Sequence, residues 1–75
     1  MQEIKYLSPE QIEKCLKNHS VRKKNREIVE NFLMSVSTEY SKEENIQNAA
    51  YEADTCELDT GEYNAMIEGI ALLFP

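Results

Sequence analysis

The sequence predicts an all-α fold, a small bundle of three to four short helices forming a single domain over residues 1–75. Three observations predict it. Ser or Asp stands three residues before Gln or Glu at Ser8–Gln11, Ser41–Glu44 and Asp59–Glu62, the spacing of a capping box at a helix start. Apolar residues after each box recur at i, i+3 and i+4. Two glycines and two prolines leave too few breaks for many short strands.

The first helix is expected over 9–18. Ser8 caps it, Pro9 suits its first turn, where no backbone donor is needed, and Leu7 with Ile12 forms a hydrophobic staple. Ile12, Cys15, Leu16 and His19 share one face, and Asn18-His19-Ser20 is the break. Ser20 is read as the cap of a second helix over 21–36, whose apolar face is Ile28, Val29, Phe32, Leu33 and Val36. Lys23–Glu27 and Arg26–Glu30 are i, i+4 pairs worth about 0.3 kcal/mol each. As the longest element, this helix is expected at the centre of the fold.

Ser41 opens a third helix over 42–55, with Glu43 and Glu44 of the right sign for a helix start and Lys42 of the wrong sign. Its face, Ile46, Ala49, Ala50 and Ala53, is thin because alanine buries little area. Asp59 opens a fourth over 60–73, with Tyr63, Met66, Ile67, Ile70 and Phe74 in register and Ala71 alongside. Gly69 inside it costs about 1 kcal/mol against alanine but permits a close helix contact. The expected core is Ile12, Leu16, Ile28, Val29, Phe32, Leu33, Val36, Ile46, Ala50, Met66, Ile67 and Ile70.

Charge is divided unevenly. Residues 1–37 carry seven basic and five acidic side chains, whereas residues 38–75 carry Lys42 against nine acids, so +2 and −8 sum to the net −6. Glu52, Asp54, Glu57, Asp59 and Glu62 concentrate the acid further and are the candidate partner-binding residues. Such a field repels nucleic acid and anionic membrane and attracts a basic protein surface. Carboxylates along a helix lie roughly 5–6 Å apart at i, i+3 and i+4. Phosphates along DNA repeat on a comparable scale, so an acidic helical protein can occupy the basic channel of a nucleic-acid enzyme. No apolar run approaches 18 residues, and Met1–Leu7 lacks the basic-then-apolar pattern of a secretion signal, so a cytoplasmic location is expected.

Other chemistries fit poorly. Cys15 and His19 are i, i+4, but zinc needs at least three protein ligands and nothing places Cys56 beside them, so both cysteines are read as free thiols in a reducing compartment. A Cys–His nucleophile would lack an orienting third group and a loop of backbone donors, so no enzyme is expected. A calcium loop starting at Asp54 has Cys56 at its third position and Asp59 where glycine is needed. No metal or cofactor is expected. Lys17, Arg22, Lys23, Lys24 and Arg26 cover the turn between the first two helices in an arrangement like a helix-turn-helix, and they are the alternative, nucleic-acid-binding set. Against them stand the −8 half and the interleaved Glu27 and Glu30.

Ile12, Glu13, Leu16, Lys17, Asn18, His19 and Lys24, within IEKCLKNHSVRKK, resemble the opening helix of sigma-factor-like phage transcription regulators of the ArpU type. Glu43, Glu44 and Ile46, then Ile70, Ala71 and Leu72, fall roughly where similar residues stand in that family. The resemblance implies a phage or mobile-element origin and a transcription setting. The family's DNA-reading helix-turn-helix has no counterpart before Phe74-Pro75, so DNA binding does not carry over. The expected role is therefore a protein-binding module that inhibits or regulates a bacterial nucleic-acid-handling protein, such as a CRISPR effector or a polymerase. The alternative is a small transcription regulator touching DNA through the basic turn. Homodimerisation would add core to so small a domain.

Overall fold

The computed structural model describes residues 3–75. All three capping boxes form. Ser8 Oγ accepts the Gln11 amide at 3.1 Å while Gln11 Oε1 accepts the Ser8 amide at 2.8 Å, and the same reciprocal pair closes Ser41–Glu44 and Asp59–Glu62. The helices they open are α1 (Pro9–Asn18), α3 (Lys42–Thr55) and α4 (Thr60–Leu73), and α2 spans Arg26–Ser35. The described chain is thus a small all-α bundle, with one isolated antiparallel bridge, Tyr6 to Ser37, and no strand among the described residues.

The second helix starts later than its periodicity suggests. Val21 and Arg22 lie outside any helix, Arg22 in extended backbone, Lys23–Asn25 form a single 3-10 turn, and α2 begins only at Arg26. Ser20 does not act as a cap. The Arg22 amide donates instead to the Glu62 carboxylate at 2.9 Å, which holds the backbone out of the helix at that point. The expected pairs Lys23–Glu27 and Arg26–Glu30 give way accordingly: Lys23 lies in the 3-10 turn, and Arg26 reaches across to Glu13 on α1 at 3.0 Å.

Helix α4, not α2, is the centre. It packs against α1, α2 and α3, and α3 makes its main contacts through α4. Its sequence allows this because apolar residues surround much of it: Ala65, Met66 and Ile70 are buried, and Tyr63, Ile67, Leu72, Leu73 and Phe74 are packed against the core. A helix that is apolar nearly all round belongs in the middle of a bundle. Gly69 faces Leu33 and Leu7, so close that a Cβ there would collide with the end of Leu33.

The core also takes in Leu7, Cys15, Ala49 and Ala65, which were not in the expected set. Ala50 is exposed, and Ile28, Ile46 and Ile67 are only partly buried. On α3 the inward stripe is Asn45, Ala49 and Ala53 rather than one centred on Ala50. Asn45 is buried because its Nδ2 faces the carbonyls of Ser37 at 3.0 Å and Ser41 at 2.9 Å, tying α3 to the end of the α2 connection. Satisfied in this way, a polar side chain can occupy a core position without the cost of an orphaned donor.

Candidate protein-binding surface

The acidic residues singled out from sequence do not form one surface. Glu62 is fully buried and must be taken out of the partner-binding set. It stands at the third position of α4, where the capping box turns its side chain back to accept the Asp59 amide at 2.9 Å. It also accepts the Arg22 amide at 2.9 Å, Arg22 Nε and Nη2 at 3.0 Å each, and Asn25 Nδ2 at 3.0 Å. These donors, the Arg22 guanidinium first among them, outweigh burial and hold its carboxyl well below the usual carboxylate range. Asp59 is half-exposed but engaged, capping α4 and meeting Arg22 Nε at 3.1 Å.

Glu52, Asp54 and Glu57 remain, gathered where α3 ends. Asp54 and Glu57 are exposed. Glu52 is half-buried and accepts the Cys56 thiol at 3.3 Å, which pushes the Cys56 pKa up. The end of α3 closes in a Schellman motif: the Leu58 amide donates to the Ala53 carbonyl at 2.9 Å and the Glu57 amide to that of Asp54 at 3.4 Å. That motif puts its penultimate residue in the left-handed region, and Glu57 sits there with φ 52° where glycine is usual. The last turn of α3 carries no basic residue, and Glu52 and Asp54 place negative charge at the negative end of the helix dipole.

The outward face of α3 carries a residue not singled out from sequence. Tyr51 is 70% exposed, the most exposed of the large apolar side chains, and stands three residues before Asp54 and four after Gln47. Its position off the Asn45–Ala49–Ala53 stripe was the available signal. Glu43 and Glu44, at the start of the same helix, are exposed as well. Among the described residues none of the carboxylates of Glu43, Glu44, Asp54 and Glu57 forms an ion pair, although the Glu57 backbone carbonyl accepts Arg22 Nη2 at 3.3 Å.

The basic turn is partly neutralised from within. Arg22 is committed to Glu62 and Asp59, and Arg26 to Glu13. Lys17 is exposed in the last turn of α1, and Lys23 and Lys24 on the 3-10 turn. Cys15 is fully buried, and burial, with Glu68 nearby, pushes its thiol up to about 11. His19 turns instead to α4, its Nε2 lying 2.6 Å from Glu68 Oε1, while Asn18 Nδ2 donates to Glu68 Oε2 at 3.2 Å. Cys15 and His19 therefore do different work, one as packing and one as a clasp between the end of α1 and α4. Among the described residues no three His, Cys, Asp or Glu side chains are placed to hold a metal ion, and no helix is long and apolar enough to cross a membrane. Comparison of the chain with protein-family models, with curated proteins and with solved structures finds no match.

Proposed function

We propose that this chain is a small acidic protein-binding module that regulates or inhibits a bacterial nucleic-acid-handling protein through a basic surface on that target. In this reading Asp54 and Glu57 are the principal charges, Glu52 and Asp59 flank them, and Tyr51 is the aromatic anchor. One observation carries the proposal. The end of α3 gathers three features that each cost stability: two carboxylates at the wrong end of the helix dipole and a glutamate held in left-handed backbone. Local rules broken together at one exposed place are the mark of a surface kept for something other than folding. An exposed tyrosine among carboxylates adds the side-chain type that most often anchors protein interfaces. The phage or mobile-element setting and the cytoplasmic location rest on the resemblance of Ile12–Lys24 and on composition.

The alternative, DNA contact through the turn between α1 and α2, is left with Lys17, Lys23 and Lys24, because both arginines are held in internal ion pairs. Affinity capture from a bacterial lysate with mass spectrometry supplies the target. Binding is then measured for Asp54→Asn/Glu57→Gln, for Tyr51→Ala, and for Lys17→Glu/Lys23→Glu/Lys24→Glu. The first two variants should weaken binding at least about tenfold, a loss of about 1.4 kcal/mol, and the lysine variant should leave it unchanged. Loss of binding confined to the lysine variant, or a shift of duplex DNA by the wild type at physiological salt, would overturn the proposal.

A further inference from the structure

We propose that the groove between α1 and α2 is a second docking site, and that it takes a basic amphipathic segment of a partner protein. The groove, about 280 Å³, is lined by Pro9, Ile12 and Glu13 of α1 and by Glu30 and Met34 of α2. Ile12 forms its buried floor. Met34 stands 60% exposed at its wall, although its neighbours Phe32 and Leu33 are buried in the core. Its unbranched, polarisable side chain can re-pack around an incoming apolar group. The walls follow helical spacing, with Pro9 and Glu13 one turn apart on α1 and Glu30 and Met34 one turn apart on α2. An entering helix would find apolar contact and charge alternating at its own pitch.

Charge decides the occupant. Glu13 is answered within the chain by Arg26 at 3.0 Å, and among the described residues Glu30 has no ion-pair partner. The groove therefore offers an apolar floor beside one unanswered carboxylate. The segment that fits has an aliphatic side chain on one face and Lys or Arg three or four residues away. A second copy of this chain does not fit. Each copy carries −6, so association of two copies is opposed by their net charge.

The site lies on α1 and α2, apart from the end of α3, so its failure is read separately from that of the acidic surface. The test uses 15N-labelled protein and a synthetic helical peptide of leucine and lysine in amphipathic order, followed by NMR. Two control peptides replace lysine by glutamate and leucine by serine. Amide shifts should cluster at Glu10–Glu13 and Glu30–Met34, weaken as salt is raised, and be absent with both controls. Met34→Ser should weaken binding by about tenfold and Glu30→Lys by several-fold, with both variants keeping the helical circular dichroism of the wild type, Met34 being exposed and Glu30 half-buried. Shifts confined to α3, an affinity indifferent to Met34→Ser, or no binding would overturn the proposal. Sedimentation showing a dimer that Met34→Ser dissolves would assign the groove to a second copy instead.

Discussion

A carboxylate with no solvent exposure must collect donors or remain protonated, and Glu62 collects five: three from Arg22, one from Asn25 and the amide of Asp59. Its pKa in the fold is depressed, so the unfolded chain binds a proton more readily than the folded one. The resulting stability is fully present above the ordinary glutamate value of 4.5 and is lost as pH falls below it. Glu62→Gln should cost about 2–4 kcal/mol at neutral pH, because it removes the charge that the guanidinium and the buried amide were placed to meet. It should also flatten the acid limb of stability measured by urea unfolding. An acid limb as steep as the wild type's would assign that dependence to other groups. Half of this site is legible in the sequence. Asp59 and Glu62 announce a capping box, which turns the glutamate back to the cap amide, although the same geometry leaves Glu44 exposed at Ser41–Glu44. The other half is not, since Arg22 is forty residues away from Glu62 and only the packed bundle brings the two together.

At the scale of elements, α1, α3 and α4 follow from short-range rules, and their observed bounds are those the capping boxes and apolar periodicity set. The start of α2 does not, because a long-range bond from the Arg22 amide competes with helix formation there. Two substitutions separate local preference from packing. Glu57→Gly relieves the left-handed backbone while leaving the Schellman bonds in place, and should raise stability by about 0.5–1 kcal/mol. Gly61→Ala would ordinarily help a helix, yet a Cβ at that position would meet the Ser20 carbonyl, a backbone atom that cannot rotate aside. It should lower stability by about 1–3 kcal/mol by prising the start of α4 from the segment that carries Arg22. Thermal melts of the two variants should therefore move in opposite directions. Destabilisation by both would mean that the turn after α3 is held by more than its backbone.

For the whole molecule, the uneven charge is visible in composition, but its distribution in space is not. The fold takes Glu62 inside, spends Arg22 and Arg26 on internal pairs, and leaves Glu43, Glu44, Asp54 and Glu57 unanswered on or beside α3. These four are not equivalent. Glu43 and Glu44 lie at the start of α3, where the helix dipole favours them, while Asp54 and Glu57 lie at its end, where it does not. A surface kept only for solubility would have no reason to place charge at the disfavoured end. Neutralising Asp54→Asn with Glu57→Gln should therefore stabilise the isolated protein, by about 0.5–1 kcal/mol at low ionic strength, as dipole and like-charge repulsion are relieved. Glu43→Gln with Glu44→Gln should destabilise it by a similar amount, since the first turn loses favourable charge and Glu44 loses its charged half of the capping box. Salt should shrink both effects, over a Debye length of about 10 Å at 0.1 M. Chemical unfolding of the two double variants at low and high salt measures all four values. The pair that gains stability is the pair whose loss should weaken partner binding, a trade of stability for recognition that a merely solvated face does not produce. If Asp54→Asn/Glu57→Gln gains stability and binds the captured partner as the wild type does, the end of α3 is not the recognition surface.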